Sequence, residues 1–420
     1  MAMATTLLAP AILLAFWLWG YIDSKISARY SAQYKPYPIR QNPTYTPSRD
    51  VSVVSCMLNP EPLFISRLAS WLRNDPSEVV LSTRAAFVGK VQAALDSCDF
   101  DTSKVRIVVA PDSLPGFRGQ MVTGLRAARC PIIAKVDGHI LWGDEYLVHM
   151  LASFEDPSVG ASGGAMTVFI APERQNPESV TPAEVAATKM LFGAARCCKT
   201  DIFAAARFRW IIAGGSVLYR AALVTSDAFV AGFMNDIWHS PFGRRTRLDT
   251  GDDTFISRWI ARQGYINAAQ QLPATDVSRV PKRSAHAFVM QLMRWERSTI
   301  QSHLRTVFCA GEVPQVWSHP LVARKTIERL LRDVIAAVHV CAWVVSLLNF
   351  PFFTVALLWY YVSRIVSKHR AFFAQYPYMS RHWWAAVGVD YLAIILSPRV
   401  WLTLGTEEWH LGEKVSKKTT

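Results

Sequence analysis

The sequence predicts an α/β fold in which a mostly parallel sheet has helices on both faces and is flanked along the chain by transmembrane helices. Two observations support this prediction. From residue 51 onward, short apolar runs without polar alternation take turns with segments of helical periodicity, which is typical of a buried parallel sheet. Long apolar stretches also lie near both ends of the chain, and 51% of all residues are hydrophobic, a high fraction for a soluble protein.

The N-terminal segment, residues 1–24, is predicted to be a transmembrane anchor. Residues 6–22 are apolar and uncharged, which approaches the roughly 20 residues that a membrane span needs. A cleaved signal peptide is the alternative, but the basic residues Lys25 and Arg29 follow the segment instead of preceding it. This charge placement predicts that the chain after the anchor is cytoplasmic. Residues 25–48 are polar and rich in proline, so we expect an extended linker.

The central segment, residues 49–325, is predicted to form one domain. Strands are predicted at residues 51–55, 79–81, 105–110, 132–136, 162–170 and 211–219. Helices are predicted at residues 63–72, 85–95, 118–128, 182–199, 254–263 and 287–302. Ligands of such sheets bind beyond the carboxyl ends of the strands, and Asp137 follows the fourth strand at that position.

The C-terminal segment, residues 326–420, is predicted to hold membrane and interfacial helices. Residues 334–366 are almost uncharged and are broken at Asn349-Phe350-Pro351, which favours two short spans or a re-entrant hairpin. Residues 383–396 form a third apolar stretch, short enough to lie at the membrane interface.

The charge and cysteine content of the chain limit the classes of binding partner and metal site that we expect. The net charge of +13 suits an anionic membrane surface, an anionic substrate or nucleic acid. Basic residues cluster beside the apolar segments and no nucleic-acid-binding motif is found, so we expect the lipid bilayer as a partner and no nucleic acid. The seven cysteines are odd in number and contain no CxxC pair, which argues against a disulfide framework and structural zinc.

Asp137-Gly138-His139 is the first of four polar clusters. A carboxylate and an imidazole can hold a divalent cation that bridges two phosphates, with Mn²⁺ tolerating the imidazole, and a glycine lets the backbone approach the ligand. The structural alternative is a polar turn that ends the strand.

Gly251-Asp252-Asp253 is a second cluster, at the beginning of the helix predicted at 254–263. One aspartate is explained as a helix cap. The second is surplus to that role, and a carboxylate aimed at a hydroxyl can act as a general base.

Gln291, Arg294 and Trp295 form a third cluster on one side of a predicted helix. Arginine can bind a diphosphate with two parallel hydrogen bonds, and tryptophan can stack on a sugar. An ordinary amphipathic helix with a buried tryptophan is the structural alternative.

Gly214-Gly215-Ser216 is the fourth cluster and interrupts a predicted strand. Its structural alternative is a β-bulge. As a functional feature, it would provide a wall of bare backbone along which an acceptor sugar passes.

In this order and membrane context, the clusters resemble those of the processive membrane β-glycosyltransferases of family 2, the group of hyaluronan, chitin and cellulose synthases. The chain is most similar to the fungal type 2 glycosyltransferase or capsular-polysaccharide-synthase-like branch. The resemblance covers about residues 48–305 and the flanking membrane layout. Beside the clusters it rests on residues 51–54, 59–60, 116–124, 135–142 and 249–254.

The resemblance implies a GT-A-like fold and an inverting, metal-dependent transfer of a sugar from a nucleotide diphosphate, expected to be UDP, to a growing extracellular or cell-wall polysaccharide. It also implies Mn²⁺ or Mg²⁺ as cofactor and a location in the plasma membrane, and it is compatible with a homo-oligomer. The implied catalytic residues are Asp253 as general base and Asp252 in support. The implied metal ligands are Asp137 and His139. The implied nucleotide- and diphosphate-binding residues are Asp137, Gln291 and Arg294, and the implied acceptor-binding residues are Trp295, Gly214, Gly215 and Ser216.

The sequence departs from the family pattern at two positions. An early aspartate that contacts the base is absent, because the second strand ends at Arg84, and Asp112 after the third strand is the candidate substitute. Gly138 also stands where a second acid is common. Two alternatives therefore stay open, which are a lipid glycosyltransferase of the ceramide type and a catalytically impaired scaffold that binds nucleotide sugar.

Overall fold

The computed structural model describes residues 2–60, 63–195, 199–239, 245–309, 313 and 316–405. Residues 196–198 of the helix predicted at 182–199 and residues 406–420 of the predicted C-terminal segment lie outside the described residues.

The described strands are β1 (Val51–Cys56), β2 (Glu78–Arg84), β3 (Val105–Ala110), β4 (Ile132–Val136), β5 (Ile140–Leu141), β6 (Val159–Gly163), β7 (Met166–Val168), β8 (Ser216–Arg220), β9 (Ile237–His239), β10 (Arg245–Arg247), β11 (Ile266–Ala269) and β12 (Val277–Arg279). The described helices are α1 (Ala2–Gln33), α2 (Pro47–Asp50), α3 (Phe64–Leu72), α4 (Val88–Asp96), α5 (Gly116–Ala127), α6 (Tyr146–Leu151), α7 (Pro182–Ala195), α8 (Thr200–Ala206), α9 (Ala221–Thr225), α10 (Asp227–Met234), α11 (Asp252–Arg262), α12 (Ala285–Phe308), α13 (Pro320–Asn349), α14 (Pro351–Gln375) and α15 (Trp383–Leu402).

The central sheet has seven strands in the order β11-β6-β8-β4-β1-β2-β3. Only β8 within it runs antiparallel to its neighbours, β4 and β6. A smaller sheet, β5-β12-β7, lies beside the carboxyl end of β4. The prediction of a mostly parallel sheet is therefore confirmed.

Helices cover both faces of the central sheet because side chains of each strand alternate between two cores. Val53 of β1 belongs to a core with α3, α4 and α6, whereas the next residue, Val54, belongs to a core with α5, α10 and α11. On α3, Phe64, Leu68 and Trp71 follow the helical spacing that buries one face. Because helices cover both faces of the sheet, the candidate active site lies at the carboxyl ends of the parallel strands.

Two predicted strands differ from the structure. The segment predicted as one strand at 162–170 is divided between β6 and β7, which belong to different sheets. The break falls at Gly164, where a Cβ atom would lie 2.1 Å from the carbonyl oxygen of Thr275. The strand predicted at 211–219 begins only at Ser216, so Gly214 and Gly215 form the turn before β8 and the proposed bulge inside a strand is wrong.

Three of the described helical segments are long and apolar enough to cross a membrane, and they are Leu7–Gln33, Pro320–Asn349 and Pro377–Leu402. The first extends beyond the predicted anchor, because α1 continues through residues assigned to the linker. The third is longer than the interfacial stretch expected at 383–396. The break expected at residues 349–351 is present between α13 and α14, and α14 is not among the three segments.

Polar contacts attach the membrane helices to one another and to the domain. The indole N–H of Trp19 on α1 donates to Glu328 on α13 at 2.9 Å, and Asp23 pairs with Lys325 at 2.9 Å. On α12, Glu296 accepts from Arg329 at 2.7 Å and from Arg332 at 2.9 Å, both on α13. The helix that carries the Gln291, Arg294 and Trp295 cluster is thereby fixed to a candidate membrane span.

Candidate active site

Lys135 links the two clusters that contain carboxylates, Asp137-Gly138-His139 and Gly251-Asp252-Asp253. It is buried on β4, and its Nζ lies 2.6 Å from Oδ1 of Asp137 and 3.8 Å from Oδ2 of Asp252. The same ammonium donates to the carbonyl oxygen of Gly214. Burial alone would lower the pKa of Lys135, but Asp137 and Asp252 hold it well above its usual range. The lysine therefore stays charged and sets the spacing of three clusters.

The turn before β8 brings bare backbone against the second carboxylate cluster. The N–H of Gly214 donates to Oδ2 of Asp253 at 3.3 Å, and the carbonyl of Gly215 accepts from the N–H of Asp137 at 2.9 Å. A Cβ atom on Gly214 would lie 3.1 Å from Cβ of Asp253, so a larger residue would push on the carboxylate. Ser216 is different, because its buried hydroxyl is bonded to Trp142 and Tyr146 at 2.9 Å each. The acceptor roles of these residues stay predictions.

The loop before α11 is held by a buried arginine. Arg118 on α5 donates to Asp236 at 2.9 Å and to the carbonyl of Thr250 at 2.9 Å. Gly251 follows with φ of +72°, a conformation that favours glycine, and α11 begins at the next residue. The first turn of α11 thus presents Asp252 and Asp253 toward β4.

The two neighbouring aspartates have different surroundings. Asp252 faces the ammonium of Lys135, whereas Asp253 accepts only backbone N–H groups, from Gly214 at 3.3 Å and Thr254 at 2.8 Å, among the described residues. Burial, followed by the charge of Asp252, raises the pKa of Asp253 to about 6. A carboxylate that titrates near neutrality is a better proton acceptor than an ordinary one, so Asp253 suits a general base.

Asp137 and His139 have side chains of the types that bind a divalent cation, and their role as metal ligands stays a prediction. Burial lowers the pKa of His139 well below its usual range, and Arg279, Lys282 and Arg67 lower it further, so the imidazole is neutral and able to bind metal. Within the described parts of the chain, no group of three or more His, Cys, Asp or Glu side chains converges. Diphosphate oxygens and water would therefore complete the coordination, which is the usual arrangement for Mg²⁺ at phosphate sites.

Gln291, Arg294 and Trp295 are half-buried on α12. The Oγ of Ser298, one turn further along, donates to the carbonyl of Arg294 at 3.2 Å, and it would lie 3.1 Å from a Cβ atom on Gly251. This contact places the turn of α12 that carries Arg294 against the loop before α11. The third cluster therefore lies on a helix that packs against Gly251, the residue before Asp252.

Asp112 does not join these residues. It is exposed in the turn after β3, and two strands, β1 and β2, separate β3 from β4 in the sheet. This is a distance of about 14 Å at the usual strand spacing. Where an early aspartate was expected, Arg84 ends β2 and donates to the carbonyls of Pro111, Leu114 and Gly116, which shapes the loop before α5.

Sequence reasoning assigned no role to Lys135 or Arg279. Arg279 ends β12, and its Cζ lies 5.0 Å from the ring centroid of Trp295. One signal for Lys135 was available, because a lysine inside the apolar run of residues 132–136 needs a buried partner. No comparable signal marks Arg279, since the partners that surround it come from distant parts of the chain.

Comparison with known proteins identifies the family. A family model described as "Glycosyltransferase like family 2" matches residues 47–298, which is more than half of the chain. The chain belongs to this family. The NDP-glycosyltransferase ltbB of Aspergillus luteorubrus is 28% identical over 94% of this chain and 96% of its own length. A type 2 glycosyltransferase of Zymoseptoria tritici is 24% identical over 70% of this chain, which spans 60% of that protein.

Among solved structures, the mannosyltransferase PcManGT from Pyrobaculum calidifontis, determined in complex with GDP-Man and Mn²⁺, has a TM-score of 0.57 at 17% identity. The match covers 93% of this chain and 99% of PcManGT. At this identity the likeness concerns the fold, which is GT-A-like, as predicted. The family 2 resemblance is confirmed at the level of the family.

Proposed function

We propose that this family 2 member is an inverting glycosyltransferase that moves a sugar from a nucleotide diphosphate donor, expected to be a UDP-sugar, to a hydroxyl group presented beside the membrane. One observation carries the proposal. At the carboxyl end of β4, the Lys135 ammonium lies 2.6 Å from Asp137 and 3.8 Å from Asp252, and Asp252 is followed directly by Asp253, whose pKa is raised. A proton acceptor and a candidate metal and diphosphate ligand are thereby held in one site.

In this reaction the acceptor oxygen attacks the anomeric carbon of the donor sugar while the bond from that carbon to the diphosphate oxygen breaks. The electron pair leaves with the diphosphate, and Asp253 takes the proton of the attacking hydroxyl. Because attack comes from the side opposite the leaving group, the anomeric centre inverts. Arg294 would bind the diphosphate and stabilise its developing charge.

A divalent cation, Mn²⁺ or Mg²⁺, held by Asp137 and His139 would supply further positive charge at the leaving diphosphate. The ligand types support this assignment, since the neutral imidazole of His139 suits Mn²⁺. The Mn²⁺ and GDP-Man in the PcManGT structure are consistent with it.

The acceptor class has two candidates. The resemblance to polysaccharide synthases favours a growing polysaccharide at the plasma membrane, with the domain on the cytoplasmic side. A membrane lipid is favoured by the membrane region, because the described residues contain three candidate spans. A polymer channel built from this chain alone would need more of them.

The test is to incubate membranes containing the protein with a panel of nucleotide sugars and Mn²⁺ or Mg²⁺, and to measure released nucleoside diphosphate and product. We expect one donor to turn over, and Asp253→Asn to lower the rate by about 10²–10⁴-fold. The matched control is Asp144→Asn, an exposed acid beside Arg73, which should keep full activity. Full activity in Asp253→Asn would overturn the catalytic assignment, and sugar found on lipid would exclude the polysaccharide acceptor.

A further inference from the structure

We propose that Arg279 is a donor-binding residue that, together with Arg294, holds the diphosphate of the nucleotide sugar from the side of the site formed by Trp295. The inference rests on the proposed function and adds to it a residue that lies outside all four polar clusters. It follows from where Arg279 lies, from how it is buried, and from which charges surround it.

The position of Arg279 is fixed by strand pairing. β12 pairs antiparallel with β5, and Arg279 stands opposite Ile140, the residue that follows His139. The guanidinium reaches across to α12, where its Cζ lies 5.0 Å from the ring centroid of Trp295. Arg279 therefore lies between the candidate metal ligands and the cluster on α12.

Arg279 is buried, and the described residues compensate its charge only weakly. The residue is 6% exposed, and its side chain donates a hydrogen bond to Sδ of Met166 at 3.8 Å, which is a weak acceptor. Among the residues that the structure describes, no carboxylate forms an ion pair with it. Asp137 is near enough to act on it electrostatically, but Oδ1 of that carboxylate is bonded to Lys135 at 2.6 Å.

A buried, uncompensated guanidinium is unfavourable, because the charge loses its hydration and an arginine does not escape by losing its proton. Burial lowers the pKa of Arg279, the charge of Asp137 opposes this, and repulsion from the nearby Arg294 lowers the pKa further. Two guanidinium groups close enough to repel each other are stabilised when a polyanion binds to both. The planar fork of arginine matches phosphate oxygens, and stacking on Trp295 holds that fork in one plane. A diphosphate is the anion that the proposed reaction brings to this place.

The experiment compares the purified full-length chain with Arg279→Met and Arg279→Lys by calorimetric titration with UDP, and with GDP in parallel, in the presence of Mn²⁺. We expect Arg279→Met to weaken binding by about 10- to 100-fold, the loss typical of a charged hydrogen bond. Arg279→Lys keeps the charge but loses the fork, so its loss should be smaller. The matched control is Arg283→Met, which removes an equal charge from an exposed side chain close by and should bind as wild type.

The melting temperature without ligand is the second readout. Because no described carboxylate forms an ion pair with Arg279, Arg279→Met should melt no lower than wild type, while the added stability that UDP confers should be largely lost. Unchanged affinity in Arg279→Met would overturn the inference and leave the proposed function intact. If wild type binds neither UDP nor GDP, the proposed donor class fails. If Arg279→Met does not fold, the test rests on Arg279→Lys. Wild-type affinity for UDP in that variant would contradict the proposal that the guanidinium of Arg279 binds the diphosphate.

Discussion

Two buried arginines of the domain, Arg118 and Arg279, each contact an aromatic ring, but they differ in the groups that compensate their charge. Arg118 lies 4.6 Å from the ring centroid of Phe233 and donates to Asp236, to the carbonyl of Phe233 at 2.7 Å and to that of Thr250 at 2.9 Å. Arg279 lies 5.0 Å from the ring of Trp295 and donates to a thioether sulfur.

This difference in compensation distinguishes an arginine with a structural role from an arginine that we propose binds a ligand. A cation that is compensated within the fold fixes the backbone around it, as Arg118 fixes the loop before Asp252. Arg279 has similar burial but no ion pair with a described carboxylate, and we infer that a bound ligand supplies its counter-charge. Lys135 combines both properties. Its charge is compensated by Asp137 and Asp252, and these carboxylates are themselves candidate active-site residues.

Arg118→Met tests the structural role of Arg118 and should have the largest effect, a loss of stability. Removing the guanidinium leaves part of the charge of Asp236 uncompensated and frees the loop at Thr250. We expect the free energy of unfolding to fall by about 3–5 kcal/mol, as for other broken buried pairs. Thermal unfolding in detergent measures this, with Arg279→Met as the comparison. Equal melting temperatures for the two variants would show that internal compensation does not distinguish them.

Lys135→Met should produce a smaller change, in the pH dependence of activity. Lys135 lowers the pKa of Asp253, so its removal should raise that pKa and move the acid limb of kcat/KM upward by about one pH unit. The exposed Lys90→Met is the control and should leave the limb in place. A limb that stays at the wild-type pH in Lys135→Met would mean that the lysine does not act on the base.

Asp112→Asn has the smallest expected effect. Asp112 is exposed and two strands lie between β3, which it follows, and β4, so we expect the site not to depend on its charge. Activity and donor KM should change less than about twofold, as at most exposed positions. A tenfold rise in donor KM would restore Asp112 as the substitute for the early aspartate.

Elements with a clear local pattern were predictable from the sequence. The strands at 105–110 and 132–136 have the predicted bounds, because each is an apolar run with polar or turn-forming residues at both ends. The division between β6 and β7 was not predictable, since it depends on the close approach of Thr275 to Gly164. α1 passes its predicted end, and its polar second half contacts α13, where Lys325 donates to the hydroxyl of Ser27 at 3.3 Å.

The site shows the same division. Asp137, Asp252 and Asp253 were recognisable because acids at a strand end and a helix start have a characteristic position. The link between them, Lys135, and the cation opposite, Arg279, depend on contacts between residues far apart in the chain. Whether a charge is compensated is a property of the folded protein, and it is this property that separates Arg118 from Arg279.

The most direct test of the central claim, that Asp253 is the general base, is the pH dependence of kcat/KM between pH 5 and 8 in wild type and Asp253→Asn. The base must be ionised, so the wild-type value should fall about tenfold per pH unit below the pKa of Asp253, which is about 6, and level off above it. Asp253→Asn should show a low rate without this limb. An acid limb near pH 6 that persists in Asp253→Asn would contradict the account.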